Sequence, residues 1–158
     1  MEVEEMSHWK TRIALLVLDS VLAVSAIVSA FTVIPGLPRE WIAGSVFPDY
    51  TVPALALGVL VGGTALIAAL AVIFRPVLGA AAAMVSAVMI IGFELVEIAA
   101  VGFSPVTYGM DKPQSWLQVA YLALGAVIAF LGAGLWRAPG GRRPSIGTSR
   151  QARQPGLL

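Results

Sequence analysis

No cysteine occurs in the 158 residues, and the one histidine is His8. The first absence removes disulfides, thiolate zinc sites, iron–sulfur ligation and cysteine nucleophiles together. The second keeps imidazole ahead of the first long apolar run, so histidine cannot ligate a metal or haem within any apolar segment. Charge is also scarce: Asp, Glu, Lys and Arg make up 12% of the chain, against ~25% in an ordinary soluble domain. A glycine-rich phosphate loop, paired histidines and a nucleophile elbow around serine are all missing. No cofactor and no metal site is expected, and an enzyme is disfavoured. Any chemistry rests on carboxylates, hydroxyls, tyrosine and arginine.

What the chain has is apolar length. Hydrophobic residues form 58% of it and the mean hydropathy is +0.87, which places it in a lipid bilayer. Four apolar runs, 13–34, 54–74, 77–101 and 116–136, each match a ~30 Å hydrocarbon core at ~1.5 Å per residue. The expected fold is all-α: a polytopic membrane protein with a four-helix antiparallel bundle over 1–136. Residues 137–158, rich in Gly, Pro, Ser and Arg, are expected to be a disordered basic tail. Val28-Ser29-Ala30 would suit signal cleavage, but the run is longer than a signal core and its start is acidic, so a retained span is expected.

Punctuation between the runs is strong. Pro35-Gly36-Leu37-Pro38 should stop the first helix, and Pro53 can sit in the first turn of the second. Arg75-Pro76 is so short a connection that the second and third spans must form a hairpin. Gly58 and Gly62, four apart, permit close helix approach, as do Gly125, Ala129 and Gly132. Cations gather on one side: Lys10, Arg12, Arg75, Arg137, Arg142, Arg143, Arg150 and Arg153, against Arg39 and Lys112 on the other. The positive-inside bias then puts both termini in the cytoplasm, and the expected location is the cell membrane. The tail arginines suit anionic lipid head groups rather than nucleic acid.

Polar residues inside the spans mark where function could lie. Glu94 and Glu97 share one helix face with Gly79, Ala83, Ser86 and Ile90, which is expected to point inward, while Val88, Ile91, Leu95 and Ile98 face acyl chains. Counted from the outer ends, Glu97 lies ~6 Å deep, Glu94 ~10 Å, Gln118 ~3 Å and Tyr121 ~8 Å. Ser29 and Thr32 fall at similar depths, giving an expected outer polar layer over which Arg39, Glu40, Asp49, Tyr50 and Lys112 could close, with Trp41 in the same external loop as Arg39. Either the layer fixes helix packing, or Glu94 with Glu97 forms a proton or cation site. Asp19, on the other side of the midplane, either reaches Arg12, Arg75 or Arg137 or serves as an inner proton station.

Trp41-Ile42, Gly44-Ser45, Phe47, Asp49-Tyr50, Pro53, Gly62-Gly63 and Ser115-Trp116-Leu117-Gln118 with Tyr121 and Gly125 resemble a pattern in small bacterial four-span membrane proteins. The resemblance covers about 37–125 and implies architecture without an activity. The chain departs from small multidrug transporters, which are shorter with a glutamate in the first span, and from vitamin K epoxide reductases, which need cysteines. The expected role is a non-catalytic accessory or oligomeric membrane subunit, in a homo-oligomer or a larger complex; the alternative is a small proton- or cation-coupled carrier using Glu94 and Glu97.

Overall fold

The computed structural model describes residues 2–42, 45–102 and 113–137. Every regular element among the described residues is helical. Four stretches are long and apolar enough to cross a bilayer: His8–Gly36, Thr51–Phe74, Pro76–Ala100 and Ser115–Arg137.

Helix α1 runs Glu2–Val28, widens into a π segment at Ser29–Val33 and tightens into a 3-10 turn at Ile34–Gly36. Pro35 lacks the N–H that an α-helical ladder would send to Phe31, and the ladder changes pitch around it. Ile34 N–H donates five residues back to Ser29, and Leu37 N–H donates to the Ile34 carbonyl at 3.1 Å. The expected stop therefore falls after Gly36, with Leu37 extended. A 3-10 turn follows at Arg39–Ile42.

The second span is α2 (Thr51–Leu55), a π segment (Ala56–Gly62) and α3 (Gly63–Phe74) without a break. Pro53 lies in its first turn, where no N–H is needed. Arg75 alone joins α3 to α4 (Pro76–Val101), its N–H donating to Ala71 at 2.8 Å while its carbonyl accepts from Gly79 at 2.7 Å. Gly102 ends α4 at a φ of 93°, a region that disfavours side chains, and its N–H donates to Ile98. The last helix, α5, runs Pro113–Arg137.

Helix α5 packs along α4, α4 along α3, and α3 along α1, which also touches α5. Alanines dominate the interior: Ala65 and Ala68 of α3 and Ala80, Ala83 and Ala87 of α4 pack with Leu15, Leu22 and Ala26 of α1 and Ile128 of α5. Larger apolar residues such as Val24, Phe31, Ile67, Phe74, Val88 and Phe130 are exposed. Small inside and large outside is the arrangement expected where the surrounding solvent is lipid and association depends on close packing.

Two glycines show how close that packing is. A Cβ on Gly79 would lie 2.5 Å from Val72 Cα, and one on Gly62 would lie 2.6 Å from Ile27 Cγ1. The Gly58/Gly62 pair thus serves the contact between the first two spans, with Gly58 against Ala30. At the Arg75 end, Arg12 Nη2 donates to the Val72 carbonyl at 3.1 Å and the Ile73 carbonyl at 3.4 Å, with its guanidinium 5.9 Å from the Trp9 ring centre. It covers the last carbonyls of α3, which have no intrahelical partner and carry the negative end of the helix dipole.

Candidate functional site

The buried acids within the spans occupy two levels. At the first, Ser86 of α4 donates its hydroxyl to Asp19 Oδ1 at 2.6 Å, with both residues fully buried. The same hydroxyl is 3.0 Å from the Ala83 carbonyl, and Asp19 Oδ2 has no hydrogen-bond partner. Asp19 does not reach Arg12, contrary to one of the two expectations for it: Arg12 is engaged with the end of α3. Ser86 lies ten residues into α4, ~15 Å from its start, so the pair is near mid-depth rather than close to one surface.

At the second level, Glu94 is 2% exposed and its Oε2 has no hydrogen-bond partner. Glu97, one turn on, is half-buried. The two glycines of α5 set its register: Gly125 meets Ile90 and Ile91, and Gly132 meets Ala80 and Met84, so α4 and α5 run antiparallel. Continuing that register brings half-buried Tyr121 level with Glu94, and buried Gln118 level with Glu97. Ser29, ten residues beyond Asp19 on α1, falls near the same level and is half-buried.

Thr32 is a correction. It is exposed, and its hydroxyl donates to the Val28 carbonyl of its own helix at 2.7 Å, so it belongs to the outer surface and not to the polar layer. On the expected inward face Gly79, Ala83, Ser86, Ile90 and Glu94 are all buried.

The two levels are ~12 Å apart along α4. Ile90 stands one turn from each, and with Leu22, Ala26 and Ala87 it is fully buried. Ser25, at the intervening height, turns its hydroxyl back to the Leu22 carbonyl at 3.1 Å. Buried apolar side chains, Ile90 among them, thus stand between Asp19 and Glu94. Among the described residues no three His, Asp or Glu side chains converge as metal ligands.

A third polar feature lies where the first two spans end. Pro35, Leu37, Arg39, Asp49, Tyr50, Thr51 and Ala54 line an open hollow of about 280 Å³. Tyr50 donates its hydroxyl to the Pro38 carbonyl at 2.8 Å, tying the two ends of the connection together. Asp49 Oδ1 accepts the Thr51 N–H at 2.9 Å at the start of α2. That bond, then the Thr51 side chain and the Arg39 charge, holds the Asp49 carboxyl below the usual carboxylate range. Arg39, Asp49 and Tyr50 share a hollow whose walls come from the first two spans and their connection. Trp41 lies in the Arg39–Ile42 turn, while Lys112 and tail residues 138–158 lie outside the described residues.

The Asp19–Ser86 bond is the feature that sequence reasoning missed. The signal was present in part: Ser86 is on the inward face of its span, two turns before Glu94, and spans one and three run in the same direction. No family model, curated protein or solved structure matches the chain.

Proposed function

We propose that the chain is a non-catalytic subunit of the cell membrane, a four-helix antiparallel bundle with both termini cytoplasmic, whose buried Asp19 holds two of its helices together. The observation carrying this reading is the fully buried Ile90 between the Asp19–Ser86 pair and Glu94, which leaves the acids as separate contacts rather than stations on one path. The cation count beside the spans supports the sidedness. Gly58, Gly62, Gly125 and Gly132 are occupied within the chain. A second copy or a larger membrane complex would therefore meet the broader outward faces, and the tail would meet anionic lipid.

In reconstituted vesicles, proton and cation flux is expected to be the same for the native chain and Glu94→Gln. In mild detergent a homo-oligomer or co-purifying partner is expected, and a monodisperse monomer alone counts against the subunit reading. A reporter fused at the C-terminus should be inaccessible from outside the cell. One observation favours a second reading, a small proton- or cation-coupled carrier: Glu94 Oε2 is buried without a partner, one turn from Glu97. Flux present in the native chain and lost in Glu94→Gln would establish it instead.

A further inference from the structure

The hollow between the ends of the first two spans has the charge pattern of a zwitterion receptor. Arg39 and Asp49 both line it. Asp49 takes its hydrogen bonds from Thr51, and Arg39 acts on it through charge, which leaves the guanidinium fork available to another acceptor. The Tyr50 bond to Pro38 fixes the rim before any ligand arrives. We infer that this hollow binds the head group of a phospholipid carrying a primary ammonium, with the phosphate toward Arg39 and the ammonium toward Asp49.

Size agrees with this. About 280 Å³ is room for roughly nine waters, and a phosphoethanolamine group has about as many heavy atoms. Position favours a lipid as the source of the zwitterion: the flanking turns of the two spans expose Val33, Val52 and Leu55, an apolar border on which acyl chains can lie. Charge narrows the class further. A glycerol head group offers the Asp49 carboxylate hydroxyls but no cation, and a quaternary ammonium has no N–H to donate. The inference rests on the membrane embedding proposed above but not on its sidedness. An accessible C-terminal reporter would move the site to the other leaflet and leave it at head-group depth.

The test uses the full chain in mixed micelles with phosphatidylethanolamine, phosphatidylcholine and phosphatidylglycerol, reading lipid retention by native mass spectrometry. The ethanolamine lipid should be retained about fivefold over the choline lipid, the scale of one exposed charge contact. Asp49→Asn keeps an oxygen for the Thr51 N–H and should bring that ratio to about one. Arg39→Gln should lower retention of both lipids together. Equal retention of the three lipids by the native chain, preference for phosphatidylglycerol, or an unchanged ratio in Asp49→Asn overturns the inference. Soluble phosphoethanolamine competing as well as the lipid overturns the lipid as source. Should a variant fail to fold, the native chain's ranking of the three lipids decides.

Discussion

Toward Arg12, the spans approach until a glycine faces its neighbour's backbone: Gly79 against Val72, with the Arg12 guanidinium over the end of α3. Toward Arg39, the first two spans both change pitch, at Ser29–Val33 and Ala56–Gly62, and an open hollow lies beyond those segments. The difference separates two uses of one material. A regular α-helix with small side chains can be packed against another along its length, and that end holds the chain together. A π segment widens the helix and redirects the next turn, and such segments recur beside functional sites.

The largest expected effect is at the tight end. Gly79→Ala puts a methyl on the Val72 backbone, which cannot rotate away, and should cost about 3 kcal/mol in detergent unfolding. Gly63→Ala, with open space around it, should cost nothing measurable. Gly58→Ala, in the π segment against Ala30, should fall between them at about 1 kcal/mol. Equal losses at Gly79 and Gly58 would erase the contrast between the ends.

Ser86→Ala removes the donor to Asp19 and should cost about 1–2 kcal/mol, the upper range for hydrogen bonds between membrane helices. Asp19→Asn, which keeps an acceptor oxygen, should lose less. Arg12→Gln should cost about 1 kcal/mol through the uncovered carbonyls of α3. A larger loss for Arg12→Gln than for Ser86→Ala would put the main tie at the surface instead of mid-depth.

The smallest effect is a titration at the open end. Asp49 has its carboxyl held below the usual range in the folded chain, so its contribution is complete above the unfolded value and is lost as pH falls through the folded one. Protection of the Thr51 amide from hydrogen exchange should decline only below pH ~4. Protection unaffected by acid would show that the start of α2 does not depend on that bond.

Much of the fold is legible because lipid imposes a simple requirement on composition and length. The hairpin at Arg75 follows from two residues, and the role of Gly58 and Gly62 from their spacing. The candidate site is less legible. Whether Asp19 meets Ser86 or an arginine depends on the rotation of two helices 67 residues apart in sequence, which no local pattern encodes. Thr32 departs from the expected layer for a related reason: its depth is fixed by counting, but its facing depends on a π segment that adds a residue to the turn. The hollow depends on where Pro35 permits the helix to end, one short turn later than proline rules suggest.

The Arg75 connection also implies an order of assembly. Its partners are neighbours in sequence, so α3 and α4 can insert as one unit with little loop closure to complete. Asp19 has no such neighbour. From the moment the first crossing enters the bilayer until the third joins it, that carboxyl lacks its hydroxyl, and an aspartate at the centre of a span costs about 3 kcal/mol on insertion scales. The first crossing is expected to be held more firmly once the hairpin has brought Ser86 to it.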